Sequence, residues 1–369
     1  MKYSSTTMKD SSPPGYMKQL DGLRAIAVFA VLWTHYLSEK YWLFDINWGA
    51  VGVRIFFVLS GFLITGILLK CRQYVASRQQ TPLLVLRQFY IRRFLRIFPL
   101  FYLTLGVAAI LNIPPVRETL TWHLLYLSNI YFAIRGDYNG SVSHLWSLAV
   151  EEQFYLVWPW LILFLPKKLL LPTIISVIFI GPAFRLISIM FGLNQVAIWV
   201  LTPGFLDILG LGSLLAYLNQ REQSSLSEKK FTKACLFIGC FLLLLIQILN
   251  RKYDYTIVDK VLGETAIGMI CTWLVAQAAK GFSGIVAKVL EFPALVYLGK
   301  ISYGIYLIHL FTPYIIYRAF DILGLSAYSS KPIITPVLWT VLTLILAIIS
   351  WHFFEKKIND LKKLFPYTG

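Results

Sequence analysis

The chain has 369 residues, 57% of them hydrophobic and 14% charged, with a net charge of +16. Apolar runs of membrane-spanning length recur from end to end, which excludes a soluble globular enzyme. The basic residues cluster in short loops between those runs, where they set orientation in a bilayer, so nucleic-acid binding is excluded as well.

The predicted fold is all-α: a polytopic membrane protein of about ten transmembrane helices plus one short non-spanning helix. Residues 1–19 read as a cytoplasmic tail, 20–355 as one transmembrane domain and 356–369 as a cytoplasmic C-terminal tail. The opening MKYSSTTMKDSSPPGYMKQLDG is too polar for the apolar core of a signal peptide. The helix after it has no small-residue cleavage site, so it is expected to be retained. Spans are predicted near residues 22–39, 49–70, 93–111, 145–165, 171–191, 198–218, 233–249, 260–279, 293–317 and 334–354. Residues 120–134 are short and interrupted by Trp122, His123, Ser128 and Asn129. If they do not cross, the basic loops gather on one face, with both termini in the cytoplasm. If they did cross, every later basic loop would land outside. Cys71, Cys235, Cys240 and Cys271 show no metal-ligand spacing and read as free thiols.

The first span carries the most informative pair. Arg24 and His35 lie eleven positions apart in LDGLRAIAVFAVLWTHYL, three helical turns, so they share a face about 16 Å apart with Asp21 on the same stripe. An ionisable residue within an apolar span costs at least ~2.5–3.5 kcal/mol, and such residues mark protein-lined polar paths. Arg92, Arg93 and Arg96 in FYIRRFLRIFP sit near the same end as Arg24. Anchoring and ligand binding both fit Arg92, whereas Arg24 and Arg96 lie deeper, and paired guanidinium groups suit a phosphate-bearing ligand. Toward the other face the sequence places His35, Arg54, Glu151, Glu152 and His309. In HLWSLAVEEQFYLVWP, His144, Ser147, Glu151 and Tyr155 share a stripe while Glu152 falls with leucines, so Glu151 is expected to face a cavity. Ser302, Tyr306 and His309 likewise share a face. His35 reads as functional and His123 and His352 as structural, while His144 and His309 fit either a substrate contact or a helix-packing hydrogen bond. Asp207, mid-span, is expected to be buried in a structural ion pair. No P-loop, GxGxxG, GxSxG or HExxH motif is present.

The runs LDGLRAIAVFAVLWTHY, GVRIFFVLSGFLIT, RRFLRIFP, LWSLAVEEQFYLVWP and LGKISYGIYLIH, in that order over residues 18–354, closely resemble the acyltransferase 3 family of integral membrane acyltransferases. The resemblance implies transfer of an acyl group, most often acetyl, from cytoplasmic acyl-coenzyme A to a hydroxyl of a glycan or related molecule. Arg24 and His35 match the family's arginine–histidine motif. Arg93 and Arg96 match a motif associated with the donor, and Glu151, with Gln153, Phe154 and Tyr155, matches an acidic motif. Family members often have a basic residue two positions before the acid at 207; here that position is Phe205. Some relatives add a C-terminal esterase-like domain, whereas this chain ends about fifteen residues after its last predicted span, so the membrane domain is expected to finish the reaction alone.

The expected function is therefore an O-acetyltransferase of the cell envelope, in the inner (plasma) membrane, acting on an extracytoplasmic carbohydrate. His35 is the expected general base, with Glu151 orienting it, and Arg24, Arg93 and Arg96 the expected acyl-CoA ligands. Arg54, Glu152, Tyr155, Tyr306 and His309 complete the expected acceptor site. No tightly bound cofactor and no metal are expected, and acetyl-CoA serves as co-substrate. The alternative class is a transporter or flippase for a glycan or lipid-linked glycan, since charged cavities suit both.

Overall fold

The computed structural model describes residues 16–37, 47–77, 80–138, 140–220, 225–253, 256–325 and 334–367. Most of the expected N-terminal tail, the last two residues of the first predicted span and Arg221 lie outside the described residues. Every regular element among the described residues is helical.

The first three helices are α1 (Lys18–Tyr36), α2 (Trp48–Ala76) and α3 (Pro82–Ile110). The side chain of Asn47 caps α2 by accepting from the Ala50 amide at 2.9 Å, and Thr81 caps α3 with Pro82 as its first residue. Next come α4 (Val116–Leu124), α5 (Ser128–Arg135), α6 (Leu145–Phe164) and α7 (Lys167–Met190). Short α8 (Gln195–Val200), a 3₁₀ turn at Thr202–Phe205 and α9 (Leu206–Asn219) follow. The chain continues through α10 (Ser225–Lys252), α11 (Ile257–Lys280), α12 (Gly284–Leu290), α13 (Pro293–Lys300), α14 (Ser302–Ile308) and α15 (Thr312–Ile322). Finally, α16 (Ile334–Ser350) passes through a π-helical turn, Trp351–Glu355, into α17 (Lys356–Asp360).

The protein is a multi-pass helical membrane protein, with six helices among the described residues long and apolar enough to cross a bilayer. These are α2, α3, α7, α10, α11 and the continuous run from Ile334 to Leu364. Helices also cover the other four predicted spans. There, α1 and α6 are dense in polar residues, and the predicted spans 198–218 and 293–317 are broken, the first at the 3₁₀ turn containing Pro203 and the second at Ile301 and again after Ile308. Irregular backbone at such depth is tolerated where protein surrounds it. Residues 120–134 form α4 and α5, of nine and eight residues, both too short to span. His123 lies there fully buried, bonded to Thr119 Oγ1 at 2.8 Å and Ser128 Oγ at 2.7 Å, and burial pushes its imidazole down to about 4. His352 bonds the Tyr297 hydroxyl at 3.0 Å, so both histidines hold structure. The four cysteines are free, with Cys240 exposed.

The centre of the bundle is α2, packed by α1, α6, α9 and α11. Its approach to α9 is close because a β-carbon on Gly61 would lie 2.0 Å from the Leu209 carbonyl oxygen, and one on Gly212 would lie 2.2 Å from that of Val58. Without a hydrophobic drive between helices in lipid, such small-residue contacts supply the packing. A buried pair ties the next layer together. Arg185 of α7 meets Asp207 of α9 at 2.7 Å, and Thr265 of α11 donates to the same carboxylate at 2.6 Å. The ion pair expected for Asp207 is present, with its cation supplied by another helix rather than from position 205.

Tyr138 and Lys363 lie beyond opposite ends of the site helices: Tyr138 borders the cavity beside His35, and Lys363 follows the Lys362 carbonyl that accepts from Arg92 at 2.7 Å. Cysteines introduced at these positions, in a background lacking Cys240, are expected to react with impermeant maleimide from opposite sides of the membrane. Same-side labelling would overturn the predicted crossing pattern.

Candidate active site

Two cavities lie end to end along α1. The first, of about 800 Å³, is bordered by Arg24 of α1, Arg93 and Arg96 of α3, and Glu151, Glu152 and Tyr155 of α6. Helical spacing puts these groups together: Arg93 and Arg96 are three apart on α3, and Glu151 and Tyr155 four apart on α6. Arg24 is paired with Asp21 at 2.6 Å, and Asp21 also receives the Tyr16 hydroxyl. Arg93 lies over the Tyr155 ring, 4.5 Å from its centroid. Arg93 and Arg96 make no hydrogen bond to another described residue, so their donors are available to a ligand. Glu151 accepts from Ser60 at 2.9 Å and from the Tyr155 hydroxyl at 3.2 Å. Glu152 borders the same cavity, so both acids reach it although periodicity favoured Glu151. α6 faces neighbours on both sides there, and a helical stripe cannot say which of two adjacent residues the cavity reaches. Arg92 points elsewhere, donating to the Lys362 and Phe365 carbonyls and covering the Tyr367 ring at 4.8 Å.

The second cavity, of about 690 Å³, is bordered by Thr34, His35, Arg54, Tyr138, His144 and Tyr306, among others. His35 Nδ1 and His309 Nε2 are 2.9 Å apart, and His309 Nδ1 lies 2.5 Å from the Tyr306 carbonyl. The Tyr36 hydroxyl donates to the His309 carbonyl at 2.7 Å and also meets Thr312 and Thr343, fastening the end of α1 to α14–α16. His144 Nε2 donates to the Leu307 carbonyl at 3.0 Å. Arg54 is held bidentately by Glu264 of α11, at 2.6 and 2.5 Å, and its guanidinium lies 5.2 Å from the centroid of Phe205. Its charge is thus already compensated where the acceptor was expected to meet it.

Val53 and Tyr306 border both cavities. The Tyr306 hydroxyl is 2.5 Å from Ser147 Oγ and donates to the His144 carbonyl at 3.2 Å. The structure therefore brings Arg24, Arg93, Arg96, Glu151, Glu152 and Tyr155 to one end and His35, Arg54 and His309 to the other, with Tyr306 between. The two acids, expected at the His35 end, sit instead with the arginines. Glu151 is not hydrogen-bonded to His35, because α6 runs antiparallel to α1 and delivers His144, not Glu151, to the level of His35. Sequence reasoning missed Glu264 and Ser60. An acid inside the apolar run of α11 was the available signal for Glu264, and Ser60 carried none.

The description "Acyltransferase domain" names the family whose pattern matches residues 17–352. The peptidoglycan O-acetyltransferase OatA of Listeria monocytogenes is 31% identical over 322 residues, 80% of this chain and 49% of the relative. A Bacillus subtilis protein named "Putative peptidoglycan O-acetyltransferase YrhL" is 30% identical over 374 residues, 93% of this chain and 55% of the relative. The chain spans about half the length of the curated relatives it matches. No solved structure matches it significantly.

Proposed function

We propose, from the premise that this chain belongs to the acyltransferase domain family, that it moves an acetyl group from cytoplasmic acetyl-CoA to a hydroxyl of an extracytoplasmic envelope glycan. The observation that carries this reading is the pair of cavities, one guanidinium-lined and one imidazole-lined, meeting at Val53 and Tyr306. Names borne by relatives make peptidoglycan the first acceptor to test. In this reading ten helical units cross the plasma membrane with both termini cytoplasmic, and the arginine cavity opens toward the cytoplasm.

Coenzyme A has a diphosphate and a 3′-phosphate for Arg93 and Arg96, with Arg24 adding charge at the same end. The pantetheine arm extends along α1 and brings the thioester to the wall shared by the cavities. The acceptor hydroxyl meets His35, which takes its proton as the oxygen attacks the thioester carbonyl. The new C–O bond forms, the C–S bond breaks, and the coenzyme A thiolate leaves and takes up the proton.

Mass spectrometry of cell-envelope glycans from cells with and without this protein tests the reading. The acetyl ester is expected to disappear with the gene and to return with the wild-type copy. Unchanged glycans would overturn it. The same assay separates the two acids. Glu151→Gln is expected to reduce acetylation more than Glu152→Gln, because Ser60 and Tyr155 donate to the two different oxygens of Glu151 and glutamine keeps only one of these acceptors, setting its NH₂ against the other hydroxyl. Equal loss would remove the distinction.

A further inference from the structure

The hydrogen bonds around His35 leave one arrangement of protons. The Tyr306 carbonyl oxygen can only accept, so His309 Nδ1 carries a hydrogen. His309 is fully buried and has no carboxylate partner among the described residues, so a second proton would place an uncompensated charge in the protein interior. Its Nε2 is then a bare acceptor, and the 2.9 Å contact requires the hydrogen to sit on His35 Nδ1. The ring planes lie within 27° with centroids 5.0 Å apart, which suits an in-line N–H···N bond. His35 Nε2 is left with a free lone pair. No described residue bonds it, and the ring borders the acceptor-side cavity.

We propose that His309 is the positioning residue for His35: it holds the imidazole as the Nδ1–H tautomer, so that Nε2 presents its lone pair to the acceptor hydroxyl. This rests on His35 as the base and replaces both the expected role of Glu151 as its orienting group and the expected role of His309 as a substrate contact. When Nε2 takes the hydroxyl proton, the resulting imidazolium keeps its Nδ1–H bond to His309. When the thiolate departs it removes the Nε2 proton, and His35 returns to its starting form. Tyr36 serves the same end through the backbone, since it bonds the His309 carbonyl from the residue next to His35.

The test is long-range ¹H–¹⁵N correlation on ¹⁵N-histidine-labelled protein in detergent, at alkaline pH where imidazoles are neutral. Wild-type His35, assigned by its loss in His35→Gln, is expected to show the Nδ1–H pattern. The Nε2–H pattern in the wild type would overturn the proposal, whether or not glycans are acetylated, so its failure is distinct from failure of the acetyltransferase reading. Kinetics supply the second arm. His309→Leu is expected to lower kcat by about 10²–10⁴-fold, the scale set by a mis-tautomerised base, with the KM for acetyl-CoA and acceptor within a few-fold. His309→Gln, whose amide oxygen can stand where Nε2 stood, is expected to recover at least tenfold of that loss. A raised acceptor KM with kcat intact, or no difference between the Leu and Gln variants, would overturn the proposal. If His309→Leu does not fold, the wild-type spectrum still decides.

Discussion

Replacing His35 by alanine is expected to abolish acyl transfer while leaving coenzyme A affinity within a few-fold of wild type. Loss of Arg93 or Arg96 is expected to do the reverse, weakening coenzyme A binding first. The separation follows from where the groups lie. Of the two cavities, His35 borders the imidazole-lined one, and Arg93 and Arg96 border the other. His35 lies eleven positions after Arg24 on α1, which is about 16 Å of helix. A base at that distance has no contact with the phosphates to lose. A charge-assisted hydrogen bond is worth roughly 1.5–3 kcal/mol, so each arginine variant is expected to weaken binding about ten- to a hundredfold. Arg93 and Arg96 make no hydrogen bond to other described residues, so removing either breaks no hydrogen bond among them, and Arg93 gives up only its place over the Tyr155 ring and beside the two glutamates. Titration calorimetry with coenzyme A and product assays on detergent-purified variants separate the roles. If His35→Ala lost coenzyme A binding as completely as the arginine variants, the assignment of binding and chemistry to opposite ends would fail.

The largest effect on stability is expected at Arg185. Its side chain is 2% exposed and that of Asp207 is completely buried, and the guanidinium also donates to the carbonyls of Val261 and Gly204 and to Thr265. Arg185→Met leaves a buried carboxylate with the Thr265 hydroxyl as its remaining donor among the described residues and frees the carbonyls of Gly204, which is buried, and Val261, which is partly buried. Breaking one side of such a pair costs about 3–5 kcal/mol. The double variant Arg185→Met/Asp207→Leu removes both charges, and apolar replacement of a whole buried pair is often neutral. It is therefore expected to be more stable than Arg185→Met alone. Thermal unfolding of the three proteins in detergent checks the order. A single variant as stable as the double would mean that the carboxylate finds water or another donor.

Readings that needed a second segment named one partner of a pair and missed the other. Asp207 was legible as a buried acid because nothing in PGFLDILGLGSLLAYL can satisfy it, but its partner lies 22 positions earlier on another helix. Arg54 was legible as a cavity cation, yet Glu264, 210 positions away, neutralises it. The arginine pair on α3 needed only local spacing. Helical period did not separate Glu151 from Glu152, since both border the cavity and period alone has no register for a wall that wraps a helix.

Apolar run lengths, the stripes of polar residues within them and the basic loops are properties of the linear chain, because in lipid each helix must satisfy its own backbone and so declares itself locally. Those determined the helical class and the multi-pass character of the chain, and they singled out Arg24, Arg93, Arg96 and His35 as the residues to test. The tertiary structure alone decided which groups meet: His35 with His309 across 274 positions, Arg54 with Glu264, and the two glutamates with the arginines. Helix direction and the close approaches at small residues set those meetings, and both arise from packing between segments that carry no mark of each other in the sequence.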